Sequence, residues 1–289
     1  MKILYTTQEL DPFVTESPFS TTVKHLAQFN HGMPENEVRV FMPRYGSINE
    51  RKHQLHEVIR LSGINVVVDK INHELLVKVA SLAKSKIQVY FISNDYFFAD
   101  KHLLRDETGR YPGNTEDKAI FFAKSILETL QRLVWVPDVV HVHNWFSALI
   151  LLYLRTELKE SAFFKSAKLV YSVYPSDFDS AYTPTLDKKM AEGRLKSLHF
   201  RNINKDAFDL QEIHRLAIEQ ADAVIFVEDS PPALKAWAQE KKKVILEHSY
   251  DQVTEVDAMR DLYGQLYQSL HKKKKRTPKQ KEESHENKL

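Results

Sequence analysis

Residues 136–145 read Val136-Pro137-Asp138-Val139-Val140-His141-Val142-His143-Asn144-Trp145. Valines recur almost without interruption over Val136 to Val142, the signature of a strand buried on both faces rather than an alternating edge. Such a strand belongs to a parallel sheet covered by helices on either side. The flanking sequence agrees. Upstream, Glu116 to Leu133 is predicted helical, with Ile120, Phe121, Ile126, Leu127 and Leu130 on its inner face. Downstream, a helix runs from Trp145 to near Arg155, then a strand over Lys168 to Tyr174. A further helix over Glu212 to Gln220 feeds the strand Ala223 to Val227. At the other end, Lys2 to Thr7 is a short β-rich run followed by a loop through Asp11-Pro12. Ser17-Pro18 then opens a helix, with Ser17 expected as N-cap and Pro18 at the first helical position. Phe19, Val23, Leu26 and Ala27 form its buried stripe, and Glu37 to Pro43 is the next strand. Residues 57–93 are extended hairpin material ending in Ile87 to Ile92. This alternation predicts a single doubly wound α/β domain over residues 1–250. Val256 to Leu270 is an amphipathic helix whose apolar stripe must bury against that domain, giving a separate unit at 251–270.

Composition narrows the function. The 289 residues contain 43% apolar and 28% charged side chains, ordinary for a globular chain, but only 7 glycines and no cysteine. No two glycines lie close enough for a phosphate loop or a dinucleotide fingerprint, both of which need backbone to approach phosphate closely. The missing cysteines exclude disulfides, thiolate metal sites and cysteine nucleophiles. The apolar run Phe146 to Leu154 falls far short of the ~18 residues of a membrane helix, and the start turns polar too early for a signal peptide. Neither membrane nor cofactor is implied, and the expected location is cytoplasmic. The net charge of +2 conceals a split, because Lys272 to Lys275, Arg276, Lys279, Lys281 and Lys288 face only three glutamates after residue 270. The body is therefore slightly acidic, with no basic surplus for nucleic acid. The Lys-rich stretch 271–289 is expected to be disordered, because it has almost no apolar surface to bury.

Several segments carry a resemblance. Lys2 to Phe13 resembles the opening of glycogen and starch synthases, and Met42-Pro43-Arg44-Tyr45-Gly46 is similar to their second-strand motif. Tyr90 to Phe97, Ala119 to Phe122 and Leu127-Glu128 continue the likeness. Pro137 to Trp145 resembles the family's proline-aspartate to histidine-aspartate-tryptophan segment, and Gln220 to Val224 its later strand entry. The likeness is colinear over residues 1–235. It implies the N-terminal Rossmann-like half of a GT-B fold, in a family that moves glucose from ADP- or UDP-glucose onto an α-1,4-glucan. The family's C-terminal domain finds no counterpart in these residues, yet Ala258 to Tyr267 resembles its last helix, which crosses back onto the N-terminal domain. The expectation is that the middle was lost while the returning helix stayed.

The resemblance also marks departures. Thr15 stands where the family has a lysine for the donor, and Ser17-Pro18 where it has two glycines. The cation is absent, Pro18 has no N–H, the added Cβ atoms block close approach, and Glu16 repels an anion. Tyr174-Pro175 replaces a histidine-asparagine pair at a strand end. Thr15 and Tyr174 are therefore degenerate catalytic positions, and no catalytic residue is retained. His143, Asn144 and Trp145 preserve the site best, with Asn144 in place of an aspartate. The substrate-binding candidates are Glu9, His143, Asn144, Trp145 and Tyr174. Each has a structural alternative: Trp145 packs the next helix, Tyr174 closes a strand end, Glu9 is a solvated loop carboxylate. His141 and His143 share a strand face but lack a third ligand, so no metal site is expected. Asp177-Phe178-Asp179 pairs with nothing that gives it an acid–base role. The chain is expected to be a shortened, catalytically degenerate member acting as a glucan-binding or regulatory module, its partner an α-glucan or glucose oligomer. One alternative is a transferase component completed by a second chain; another is a structural protein that self-associates through the exposed cleft face.

Overall fold

The computed structural model describes residues 1–289 except 84, 101–102, 176–184, 192–194, 203, 205–208, 249–253 and 276–289. In chain order its strands are β1 (Lys2–Thr6), β2 (Glu37–Pro43), β3 (His56–Glu57), β4 (Ile64–Val68), β5 (Ile71–Ser81), β6 (Gln88–Ser93), β7 (Val139–His143), β8 (Lys168–Val173), β9 (Ala223–Val227) and β10 (Val244–His248). The helices are α1 (Phe19–Gly32), α2 (Glu50–His53), α3 (Asp95–Phe98), α4 (Thr115–Arg132), α5 (Leu149–Arg155), α6 (Leu186–Met190), α7 (Leu210–Gln220), α8 (Pro232–Glu240) and α9 (Thr254–Lys275).

The sheet runs β10-β9-β8-β7-β1-β2-β6-β5-β3, with β4 paired to β5. From β10 to β6 every pairing is parallel, while β5 is antiparallel to β6, β3 and β4. The sheet is thus mixed: β3, β4 and β5 form the antiparallel margin, and β6 joins it to the parallel body. All five residues of β7 are buried, as are all five of β9, which is why their valine-rich runs read continuously. Gly46 closes the second-strand motif for a steric reason. A Cβ there would lie 1.9 Å from the Ala99 carbonyl oxygen, and its N–H donates to Asp100 O at 3.0 Å.

Chain direction across the sheet decides where a ligand fits. From β1 the chain passes through α1 to β2 on one side. From β6 it returns through α4 to β7 on the other side and continues outward to β8, β9 and β10. Right-handed crossovers therefore place α1 on one face and α4, α5, α7 and α8 on the other. The reversal falls between β1 and β7, and the crevice outside their carboxyl ends is the topological switch point where open α/β sheets bind ligands.

α9 packs on α1 and β10, burying Met259, Leu262, Tyr263 and Leu266. It runs on to Lys275, past the Leu270 at which its apolar stripe ends. Two local expectations need correction. α1 has no side-chain cap, because Pro18, which has no side-chain acceptor, takes the N-cap place. The helix expected from Trp145 is a 3-10 turn over Trp145–Ser147 followed by α5.

Candidate functional site

Two loops leave the switch point, residues 7–18 after β1 and 144–148 after β7. In the first, the Thr7 hydroxyl donates to the Glu9 carbonyl at 2.7 Å and tightens the turn. The Glu9 side chain then folds back onto the start of α1. Its Oε2 accepts the Ser17 N–H at 2.9 Å and the Ser17 hydroxyl at 3.0 Å. A carboxylate thus sits where a helix N-terminus would otherwise attract a phosphate. Ser17 lies one residue before the Pro18 N-cap position. Glu9 is only 4% exposed. Burial raises its pKa from the ordinary carboxylate value, against the lowering effect of the Ser17 bonds, and the charge of Glu16 adds to the rise. Thr15 and Glu16 stand exposed at the rim.

The second loop begins with strain. Asn144 has φ 62° and ψ 172°, a region that residues with a Cβ rarely occupy. Its Oδ1 accepts the following Trp145 N–H at 2.9 Å and its own N–H donates to Ser172 O at 3.0 Å. Below it, the rings of His141 and His143 lie 3.9 Å apart, centroid to centroid. His141 bonds the Tyr263 hydroxyl through Nδ1 and Ser172 Oγ through Nε2, the latter at 2.7 Å. His143 Nδ1 bonds the Tyr174 hydroxyl at 2.8 Å, and its ring stacks on Tyr5 at 5.6 Å. Its Nε2 meets no hydrogen-bond partner among the described residues. Burial holds both histidines neutral: the pKa of His143 is pushed down to about 3, and that of His141 falls well below the ordinary value, lowered further by His143.

The five candidates from the sequence therefore divide. Glu9 and Trp145 border a cavity of about 240 Å³, with Glu16, Arg105 and Tyr111 completing its chemistry. His143, Asn144 and Tyr174 lie behind it in the packed interior, and Tyr174 contacts Phe19 at 4.9 Å. Trp145 itself is only 2% exposed, meeting Tyr111 edge to face at 5.3 Å and Phe146 at 5.7 Å. The sequence reading missed Arg105 and Tyr111. The Arg105 guanidinium lies 4.2 Å over the Tyr111 ring and donates to Gly109 O at 2.7 Å. The available signal was the Asp106 to Gly109 turn, in which Asp106 accepts the Thr108 and Arg110 N–H groups on either side of Gly109 at φ 78°. An aromatic wall with carboxylate and guanidinium groups suits a hydroxyl-rich neutral ligand; Glu9 and Glu16 together disfavour an anion. Asp177-Phe178-Asp179 lies outside the described residues. Among the described residues no group of three metal-ligating side chains converges.

A mainly parallel sheet with a crevice at this switch point defines a Rossmann-like α/β domain of the kind that forms half of a GT-B glycosyltransferase. The family model for the starch synthase catalytic domain matches residues 2–231, and the chain belongs to that family. It is 42% identical over 177 residues to a glycogen synthase of Chlorobium limicola, covering 60% of this chain and 35% of the relative. With a glycogen synthase of Chlorobaculum parvum the identity is 36% over 227 residues, covering 77% of this chain and 45% of the relative. The chain thus spans less than half the length of these curated relatives. The catalytic domain of starch synthase IV from Arabidopsis thaliana, solved bound to ADP and acarbose, superposes with a TM-score of 0.70 at 14% identity. That alignment covers 86% of this chain and 51% of the plant chain.

Proposed function

We propose that this chain is a glucan-binding or regulatory module of the glycogen and starch synthase family with little or no transferase activity of its own. One observation carries the reading. The Glu9 carboxylate occupies the N-terminus of α1, held by two donors from Ser17, where a donor diphosphate would need those same donors and a cation. Pro18 contributes no N–H, Thr15 no charge, and Glu16 lies on the same rim. Transfer of glucose from a nucleotide sugar develops charge that must be stabilised by positioned donors, and loss of one such donor costs on the order of 10²-fold or more in rate. Here the donors are turned inward and the charge is of the wrong sign. The neutral half of the task, holding a sugar, still has candidate groups in Trp145, Tyr111 and Arg105.

The test has two arms. The purified chain, supplied with labelled ADP-glucose or UDP-glucose and glycogen, is expected to incorporate no label; incorporation overturns the inactive reading. In a native gel containing glycogen the chain is expected to be retarded, and Arg105→Ala with Trp145→Phe to run faster than wild type. Unchanged mobility of the wild-type chain with and without glycogen removes glucan binding.

A further inference from the structure

A second cavity lies away from the switch point. It is a groove of about 640 Å³ between β4 and the outer surface of α4, closed at one end by the segment after α5. Three features of its walls constrain what fits.

The first is a free strand edge. β4 pairs with β5 through the two-residue turn Asp69-Lys70, both at positive φ, with Val68 opposite Ile71 and Val66 opposite His73. In such a hairpin the flanking pair and every second pair beyond it exchange hydrogen bonds. Asn65 and Val67 therefore point their main-chain N–H and C=O away from β5, into the groove. The Val67 carbonyl already accepts Lys124 Nζ at 2.7 Å, so the edge does engage polar groups from across the gap.

The second is charge balance. Lys124, Arg132, Glu128 and Glu157 line the groove, two cations against two anions. Arg132 and Glu128 pair at 3.1 Å along α4, and Glu157 accepts Leu195 N–H at 3.3 Å. No net field remains to select a phosphate, a nucleotide or a cation.

The third is the mix of surfaces. Gln131 turns its amide N–H onto the Leu127 carbonyl at 3.3 Å, which fixes the amide plane and leaves its oxygen as an acceptor. Leu127 and Tyr153 form the apolar floor. Main-chain groups, a planar amide and paired charges over an apolar floor match a ligand with hydroxyls round its rim and C–H groups on its faces.

We infer that this groove is a second carbohydrate site, which takes a neutral α-glucan oligosaccharide along the β4 edge, independently of the cavity at Trp145. The inference rests on the glucan-binding reading, and its test separates the two. Maltoheptaose is titrated into the full chain by calorimetry, with the exposed or half-buried groove variant Asn65→Ala/Gln131→Ala and, separately, Arg105→Ala at the switch point. Loss of two or more hydrogen bonds corresponds to roughly tenfold weaker binding or more, expected for the groove variant with an unchanged melting temperature. The same loss is expected to persist when Arg105→Ala is already present.

Wild-type binding that the groove variant leaves unchanged overturns this site while the glucan reading stands. No binding to the wild-type chain overturns both. A solution mass that rises with concentration, and that Asn65→Ala/Gln131→Ala abolishes without any sugar effect, assigns the β4 edge to strand pairing between copies and overturns the carbohydrate site.

Discussion

Asn144 is where the backbone records a demand that its own residue type does not favour. With φ 62° and ψ 172° it occupies a region left almost entirely to glycine, yet a side chain is present whose Oδ1 caps the Trp145 N–H. The turn must be this sharp because β7 ends at His143 while Asn144 N–H still bonds to Ser172 O of the neighbouring strand. Two substitutions isolate the backbone cost. Asn144→Gly and Asn144→Ala both remove the cap, so their difference reports only the Cβ. The alanine variant is expected to be less stable than the glycine variant by about 1–3 kcal/mol, read from urea midpoints at a shared slope. Equal midpoints would show that the strand end relaxes freely. The residue scale also shows where sequence reasoning stops. Ser17 has the right type for a cap, but the N-cap place falls one residue later, at Pro18, and Glu9, remote from it in local pattern, accepts the Ser17 N–H and hydroxyl instead. Local propensity contains no term for that non-local contact.

Elements with strong periodicity were legible, and those held by distant contacts were not. β7 and β9 read directly because every residue is buried. β10 was missed because Val244 is half exposed and Lys241 to Lys243 precede it, so the edge strand has little apolar pattern. α9 was visible as an amphipathic stripe, but its anchor was not: Tyr263 bonds His141 on the central strand β7, and Tyr5 joins the same pair. Asn30 of α1 donates to the Tyr5 hydroxyl at 3.0 Å, so α1, β1, β7 and α9 share one polar chain inside an apolar interior. Such a network is costly when any one member is deleted. Tyr263→Phe leaves His141 Nδ1 buried without its partner and is expected to lower stability by about 1–3 kcal/mol. A chain ending at residue 253 additionally exposes the surface now under Met259, Leu262 and Leu266, with an expected loss on the order of 5 kcal/mol. If chemical denaturation finds the shortened chain as stable as the whole, α9 is not part of the folded unit.

At the scale of the whole molecule, the burial of neutral histidines has a consequence for acid stability. His141, His143 and His214 are all fully buried and neutral, with His143 and His214 pushed down to about 3 by desolvation. Unfolding returns each to water, where its pKa is about 6.5. Below that value the unfolded chain binds protons that the folded chain refuses, so stability is full above pH 7 and falls as pH drops from 6.5 toward 3. His143 and His214 each contribute a loss of about 2 kcal/mol between pH 7.5 and pH 5. The hydroxyl partners all come from β8 and the residue that follows it: Ser172 for His141, Tyr174 for His143, and Tyr171, at 2.7 Å, for His214 of α7. His214 lies on α7, away from the switch point, which makes it the cleanest probe. His214→Gln keeps a polar partner for the Tyr171 hydroxyl and removes the titration. The variant is expected to lose stability near pH 7.5 but to show a shallower fall toward pH 5, by about one proton's worth of slope. Urea midpoints across that range decide it, since an identical slope in both proteins would mean that His214 is already protonated in the folded state or does not titrate on unfolding.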